Sequence, residues 1–417
     1  MISSKHETHM RVLLAASLFL AAGTVCADPG MSMEGAMGGY PMTREASGTS
    51  WQPGATPMEG IMSMDGGWMT MTHGYLNQVY DHQGGPRGAT ENFSNSMFMF
   101  MADQTWDQDT LGLRAMLSLD PLMGKTGYPL LLQTGETADG RMPLIDRQHP
   151  HDLFMELSAS WSHAFDDSKS LYFYGGLPGE PALGPPAFMH RDSGMDDPEA
   201  PISHHWLDST HVADGVVTAG YVYRQIKFEV SAFHGREPDQ FRYNIETGRL
   251  DSASARLSWN PDDNWSLQLS QGYIHSPEEL QPNVSQHRTT ASAIYDRSLD
   301  DGNWATTLAW GRDDDRPGYI LNAYLLESAV MLRSGNTMFA RLERVQEDEL
   351  FTGISPLADQ VSGVTKLSVG YIHDWPVAAH LKFGLGGLVS LYDLPAAVDT
   401  AYGNPHSYMM FARLKIQ

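Results

Sequence analysis

Methionine is concentrated near the start of the chain. Nine of its 24 methionines fall between residues 31 and 71, and three pairs are two residues apart: Met31 and Met33, Met62 and Met64, and Met69 and Met71. Thioethers are soft, uncharged ligands that suit Cu(I) or Ag(I). The spacing favours a flexible soft-metal segment with Met31, Met33, Met62 and Met64 as ligands, and the alternative is a low-complexity linker in which methionine is incidental.

Histidine forms a second concentration, because seven of the 17 histidines lie between residues 149 and 211. His149 and His151 are two residues apart, so their rings share one side of an extended backbone. Imidazole with carboxylate suits Cu(II) or Zn(II). The predicted ligands are His149, His151, Asp152, His190, His204, His205, Asp208 and His211. The alternative is that these histidines bond to loop atoms and bind no metal.

The elements that would position these residues alternate with a period of two. In residues 110–119 and 153–162 every second residue is apolar, with Met155 on the apolar face, and Ile226, Phe228 and Val230 continue the pattern. Such alternation is typical of membrane barrels, which are apolar outside and polar inside. It predicts an all-β transmembrane antiparallel barrel of about 16 strands, in a range of about 14–18, since bacterial barrels have even numbers. The predicted lumen-lining residues are Arg114, Glu156, Lys227, Glu229, Arg256, Arg341 and Glu343.

Turn residues and aromatic residues separate this barrel from a soluble β-sandwich, which also alternates. Asn260–Asn264, Asp300–Asn303 and Ser334–Asn336 have the composition of tight turns. Tryptophan and tyrosine at strand ends are typical of the two membrane interfaces: Trp161, Trp259, Trp265, Trp304, Tyr371 and Trp375. The final strand is amphipathic but ends in Gln417 rather than an aromatic residue. The barrel is the favoured fold.

The N-terminus has the features of a cleaved signal peptide over residues 1–27. An apolar run follows Arg11, and Val25-Cys26-Ala27 has the small residues that signal peptidase requires. Residues 28–68 are rich in glycine and methionine and have no apolar periodicity, which predicts a disordered tail or at most a loosely held plug. The barrel is predicted to occupy residues 69–417, with a long histidine-rich loop at about residues 177–210.

Charge restricts the partners. The formal net charge of −23 disfavours nucleic acid, because phosphate contacts need clusters of lysine and arginine. It favours metal cations. In the outer membrane the barrel would contact lipid and lipopolysaccharide, and a homotrimer is one expected assembly. No resident cofactor is expected apart from copper, as Cu(I) on the methionine tail and Cu(II) or Zn(II) on the histidine cluster.

The layout of signal, methionine-rich acidic tail and C-terminal barrel resembles the outer-membrane B component of bacterial copper-resistance systems. Stretches such as Asp146–Leu157 and Tyr174–Arg191 also resemble uncharacterised outer-membrane proteins. The resemblance implies copper handling and a periplasmic copper protein as partner. The tail here is short and lacks the repeated Asp-His-Ser-Met units common in the copper proteins.

Three functions follow from these observations. The first is binding, tolerance or passage of a metal, with copper as the expected ion and no enzymatic activity. The second is a general diffusion porin in which the histidines are structural and charged lumen residues set selectivity. The third is an outer-membrane hydrolase, for which the sequence supplies histidine and aspartate but no Gly-x-Ser-x-Gly motif.

Overall fold

A closed antiparallel barrel accounts for most of the chain. The computed structural model describes residues 33–417 except residue 359. The predicted signal peptide and residues 28–32, which include the predicted ligand Met31, lie outside the described residues. Sixteen strands form the ring, as the alternation predicts. They are β4 (Trp68–His82), β5 (Thr90–Trp106), β6 (Asp109–Leu117), β9 (Phe154–Asp166), β10 (Lys169–Gly176), β11 (Val216–Tyr223), β12 (Ile226–Phe233), β13 (Ser252–Trp259), β14 (Trp265–Ile274), β15 (Ser285–Leu299), β16 (Gly302–Arg316), β17 (Ile320–Leu332), β18 (Asn336–Glu347), β19 (Ser362–Ala378), β20 (Leu381–Asp393) and β21 (His406–Ile416).

The remaining five strands of the described residues form smaller pairings. β1 (Glu34–Gly35) pairs with β2 (Gly38–Pro41), and β7 (Tyr128–Thr137) pairs with β8 (Pro143–Gln148). β3 (Ile61–Asp65) pairs with the first part of β4, and β21 pairs with the remainder of β4. β3 and β21 therefore share one position in the ring, and the β4–β21 pairing closes the barrel.

Connections at the two ends of the barrel differ in length. Consecutive strands are joined at one end by short turns such as residues 107–108, 167–168 and 224–225, and at the other end by long loops that include residues 118–153 and 177–215. The described residues contain two α-helices, α1 (His204–Leu207) in one such loop and α2 (Ala396–Tyr402) in another. None of the helices in the described part of the chain is long and apolar enough to span a bilayer. In bacterial barrels the short turns face the periplasm and the long loops face outward.

The outer surface is apolar, and the wall facing the interior is polar. Val217, Leu269 and Val389 are 52%, 55% and 55% exposed, whereas Lys227 and Glu229 have no exposed surface. Six aromatic side chains predicted for the membrane interfaces are all exposed: Trp161, Trp259, Trp265, Trp304, Tyr371 and Trp375. This is the inverse of a soluble protein and suits a lipid environment.

Residues 33–60, called the plug below, fold inside the barrel against its wall. The Ser170 hydroxyl donates to the Met37 carbonyl at 2.7 Å, the Arg114 guanidinium lies 2.9 Å from the Glu45 carboxylate, and Trp51 is 3% exposed. The prediction of a disordered tail for residues 28–68 is therefore wrong over residues 33–60, where the structure has an ordered plug. Its backbone polar groups are satisfied by the barrel wall, so it does not need a periodic apolar face of its own.

Residues 177–215, called the inserted loop below, fill the rest of the interior. Nearly all of this loop is buried, and its acidic side chains face basic side chains of the wall. Asp197 lies 3.1 Å from Arg341, and Glu199 lies 2.8 Å from Lys366. The predicted long loop is thus an ordered filling of the lumen, together with the β7–β8 hairpin.

Candidate metal centre in the barrel interior

A cavity of about 90 Å³ lies between the plug, the inserted loop and the barrel wall. We call it the thioether chamber, because seven methionines line it: Met42, Met58, Met71, Met97, Met99, Met101 and Met195. The plug contributes the first two, β4 and β5 the next four, and the inserted loop the last. Methionine side chains from three parts of the fold therefore line one space.

Strand β5 explains how the wall supplies three of these thioethers. Its sequence runs Met97-Phe98-Met99-Phe100-Met101, and successive side chains of a strand point to opposite faces. The three methionines are 1%, 3% and 4% exposed, while Phe100 on the other face is 40% exposed to the lipid side. The strand thus presents aromatic rings to the membrane and sulfur atoms to the interior.

Two histidines border the thioether chamber. The rings of His73 and His190 are 6.2 Å apart, and His190 Nε2 lies 3.3 Å from the sulfur of Met116. Burial lowers the pKa of His190 to about 3, so its imidazole is neutral at ordinary pH. A neutral imidazole beside thioethers gives an uncharged ligand set that suits Cu(I) or Ag(I).

A buried carboxyl group also borders the thioether chamber. Asp192 lines the cavity and is 8% exposed; Asn303 is 3.5 Å from its Oδ2. Burial, together with the nearby Asp296 carboxylate, raises the pKa of Asp192 well above its ordinary value. A bound cation would stabilise the ionised form of this group.

The predicted methionine ligands are distributed differently from the expectation. Met33 and Met62 pack against a cluster of buried methionines, called the methionine cluster below, which contains five of the seven methionines that line the chamber. Met64 is 50% exposed and does not line the cavity. The sequence interpretation missed Met97, Met99 and Met101. Their alternation with phenylalanine indicates that the three methionines share one face of a strand. Because both residue types are apolar, the pattern does not tell which face is inward.

The structure corrects the predicted orientation of Met155. It was predicted on the lipid face, but it is fully buried within the methionine cluster. The pairing of β6 with β9 shifts register here, with Met116 opposite Glu156 and Leu117 opposite Phe154. Such a bulge leaves one residue unpaired and turns its side chain away from the simple alternation.

The predicted histidine ligands separate into two places. His190 lies at the thioether chamber, whereas His149, His151, His204, His205 and His211 gather near the long-loop end, with neighbouring ring centroids 5.1–5.9 Å apart. Asp152 is 3.1 Å from the Arg242 guanidinium, and Asp208 is 2.6 Å from that of Arg191. Within the described residues, no three His, Cys, Asp or Glu side chains are already arranged to hold a metal ion.

The predicted lumen-lining residues face the interior but do not border an open channel. Arg256 lies 2.9 Å from Glu229, and the Lys227 ammonium donates to the Thr49 carbonyl of the plug. The same burial applies to the remaining members of this set: Arg114, Glu156, Arg341 and Glu343. Arg114 contacts the plug and Arg341 and Glu343 contact the inserted loop, whereas Glu156 accepts hydrogen bonds from Ser158 and Tyr174 of the wall.

Comparisons with known proteins identify the fold. No family model matches the chain, and no curated protein matches it in sequence. OmpF of Salmonella typhi, solved with daunomycin, superposes with a TM-score of 0.51 at 11% identity over 85% of this chain and 100% of that one. OprB of Pseudomonas putida gives 0.50 at 10% identity over 84% and 94%.

These similarities show the fold alone, which is that of outer-membrane porins. Together with the closed ring and the apolar exterior, they locate the chain in the bacterial outer membrane.

Proposed function

We propose that this outer-membrane barrel binds a soft monovalent metal ion, Cu(I) or Ag(I), in the thioether chamber and serves metal tolerance or passage without enzymatic chemistry. One observation carries the proposal: seven methionines from the plug, the wall and the inserted loop surround a single cavity of about 90 Å³. A space of this size accommodates an ion with little rearrangement. Thioethers retain their ligand capacity when buried, because sulfur is only a weak hydrogen-bond acceptor.

Methionine also fills irregular gaps in ordinary cores, since it is unbranched and flexible. Two features favour a ligand role over gap filling. The gap is not filled, and neutral His190 and carboxylic Asp192 border it.

The copper assignment is supported by the layout of the chain, a methionine-rich segment followed by a barrel, which resembles the outer-membrane B component of copper-resistance systems. The plug lies at the end of the barrel with the short turns, which faces the periplasm in bacterial barrels. We therefore propose a periplasmic copper carrier as the partner that exchanges the ion with the plug.

The experiment measures Ag(I) and Cu(I) binding to the refolded mature chain by titration against a soft competing chelator. The test variant is M97L/M99L/M101L, which keeps apolar volume and removes three sulfurs. The control is M64L/M338L/M410L, whose methionines are 50%, 65% and 56% exposed. We expect the test variant to lose at least about tenfold in affinity and the control to bind like the wild type. Equal binding by all three proteins would overturn the proposal.

A general diffusion porin is the second candidate, favoured by the porin fold of the ring. The plug and inserted loop occupy its lumen, so this function requires one of them to leave. Planar-bilayer recordings of the wild type and of a chain lacking residues 33–60 would separate the two. Steady wild-type conductance would favour the porin, whereas conductance that appears only on deletion favours a closed barrel.

A further inference from the structure

A second group of ligands lies at the long-loop end of the barrel, away from the thioether chamber. His151 precedes β9, His204 and His211 belong to the inserted loop, and Glu237 belongs to the loop after β12. All four line one cavity of about 20 Å³, which is close to the space of a single water or ion. Three separate loops thus meet around a very small polar space.

Each of the three histidines is fixed through its Nδ1 atom. His151 Nδ1 is 2.9 Å from the Asp120 carboxylate, and His204 Nδ1 is 2.7 Å from the Asp208 carboxylate. His211 Nδ1 is 2.7 Å from the Asp208 carbonyl oxygen. Metal-binding histidines usually donate one ring N–H to such an oxygen, which orients the ring and leaves the other nitrogen as the ligand.

Three side-chain atoms of this group lack partners. His151 Nε2, His211 Nε2 and Glu237 Oε2 are buried without a hydrogen bond. An unsatisfied buried polar atom is destabilising, so three around one cavity need an explanation.

Ring spacing agrees with tetrahedral coordination. The ring centroids of His151 and His211 are 5.3 Å apart, and those of His204 and His211 are 5.1 Å apart. Metal–nitrogen bonds of about 2.0–2.1 Å at tetrahedral angles bring ligating imidazole centroids about 5 Å apart. The spacing of these rings therefore suits coordination of a common ion.

We propose that His151, His204 and His211, with Glu237 as fourth ligand, bind one divalent cation of the Zn(II) or Cu(II) type. The neighbouring groups have other roles. His149 lies 3.1 Å from Glu136, and Asp152 pairs with Arg242. Asp120 and Asp208 act as positioning residues through the Nδ1 atoms. The bound ion would join loops 118–153, 177–215 and 234–251 across the mouth of the barrel.

The test uses Co(II) as a spectroscopic probe for the refolded full-length mature protein, followed by displacement with Zn(II). We expect one equivalent of Co(II) with the intense visible bands of tetrahedral coordination. The test variant H151Q/H211Q should lose these bands. The control variant H163Q/H373Q changes histidines near the short-turn end and should keep them. Asp208→Asn should weaken Co(II) binding by about 10–100-fold while retaining tetrahedral bands at saturation.

Two further measurements keep this site separate from the thioether chamber. H151Q/H211Q should bind Ag(I) like the wild type, and M97L/M99L/M101L should bind Co(II) like the wild type. Heat-resistant migration of the folded barrel on electrophoresis establishes that each variant is folded. A wild type without tetrahedral Co(II), or an H151Q/H211Q variant whose spectrum is unchanged, would overturn the proposal whatever the outcome for Ag(I).

Discussion

The two sides of the barrel interior are filled by different chemistry. On the side of β4, β5, β6 and β9, methionines pack against the plug and the inserted loop around a remaining cavity. On the side of β16 to β21, arginine and lysine pair with acidic side chains of the inserted loop. Charges that pair with each other are no longer available to a ligand, whereas thioethers need no partner and remain free to bind. The comparison separates a structural half of the lumen from a half suited to binding.

The charged side should give the largest loss of stability on mutation. Arg191 lies 2.6 Å from both Asp208 and Glu327 and is 1% exposed. Arg191→Met removes the guanidinium from Asp208 and leaves Glu327 with Arg341 alone, at 3.2 Å, and we expect a cost of about 3–5 kcal/mol. The measurement is equilibrium unfolding in detergent micelles, with protease cleavage of the inserted loop as a second readout. A loss below about 1 kcal/mol would show that the carboxylates find other partners and that the two sides are not different in kind.

His205 of the inserted loop should give an intermediate effect on the free energy of unfolding, and this effect depends on pH. Burial lowers the pKa of His205 to about 3, while an unfolded histidine titrates near about 6.5. Below that pH the unfolded chain binds a proton that the folded chain does not, so stability falls as pH falls. His205 should contribute a loss of about 2 kcal/mol between pH about 6.5 and 5.

Other groups near His205 titrate as well, so the measurement is a difference. The pH dependence of unfolding is compared between the wild type and His205→Gln, which removes only this contribution. Glu180→Gln supplies a control of opposite sign, because burial raises the pKa of Glu180 to about 8 and its contribution to stability falls as pH rises above about 4.5. Parallel pH profiles for the wild type and His205→Gln would mean that this ring is solvated in the folded protein.

The barrel could be predicted from sequence because its wall follows a local rule. Ile226, Phe228 and Val230 are 44%, 52% and 45% exposed, as alternation requires for a strand between lipid and a polar interior. Met155 fails the same rule, because the bulge that turns it inward depends on pairing with β6. Register between strands is a property of two segments and is not encoded in one of them.

The plug and the two candidate sites depend on contacts between distant segments. Thr49 meets Lys227, and Met37 meets Ser170, so the plug is stabilised by groups more than 100 residues away. The sequence predicted methionine and histidine as ligand types, but it could not tell that Met97, Met99 and Met101 line one cavity with methionines of the plug, or that Asp208 lies 2.7 Å from His204 Nδ1. Composition reveals the chemistry available, whereas the topology decides which groups meet.

The thioether side should give the smallest loss of stability when volume is conserved. Met99 is 3% exposed, and Met99→Leu should cost less than about 1.5 kcal/mol, whereas Met99→Ala should cost about 2–5 kcal/mol because it enlarges the cavity. Unfolding in micelles without metal measures both. With Ag(I) at about 100 times its dissociation constant, the wild type should gain about 2.7 kcal/mol and Met99→Leu less. If leucine were as costly as alanine without metal, methionine would be needed for packing alone, and the contrast between the two sides of the lumen would lose its basis.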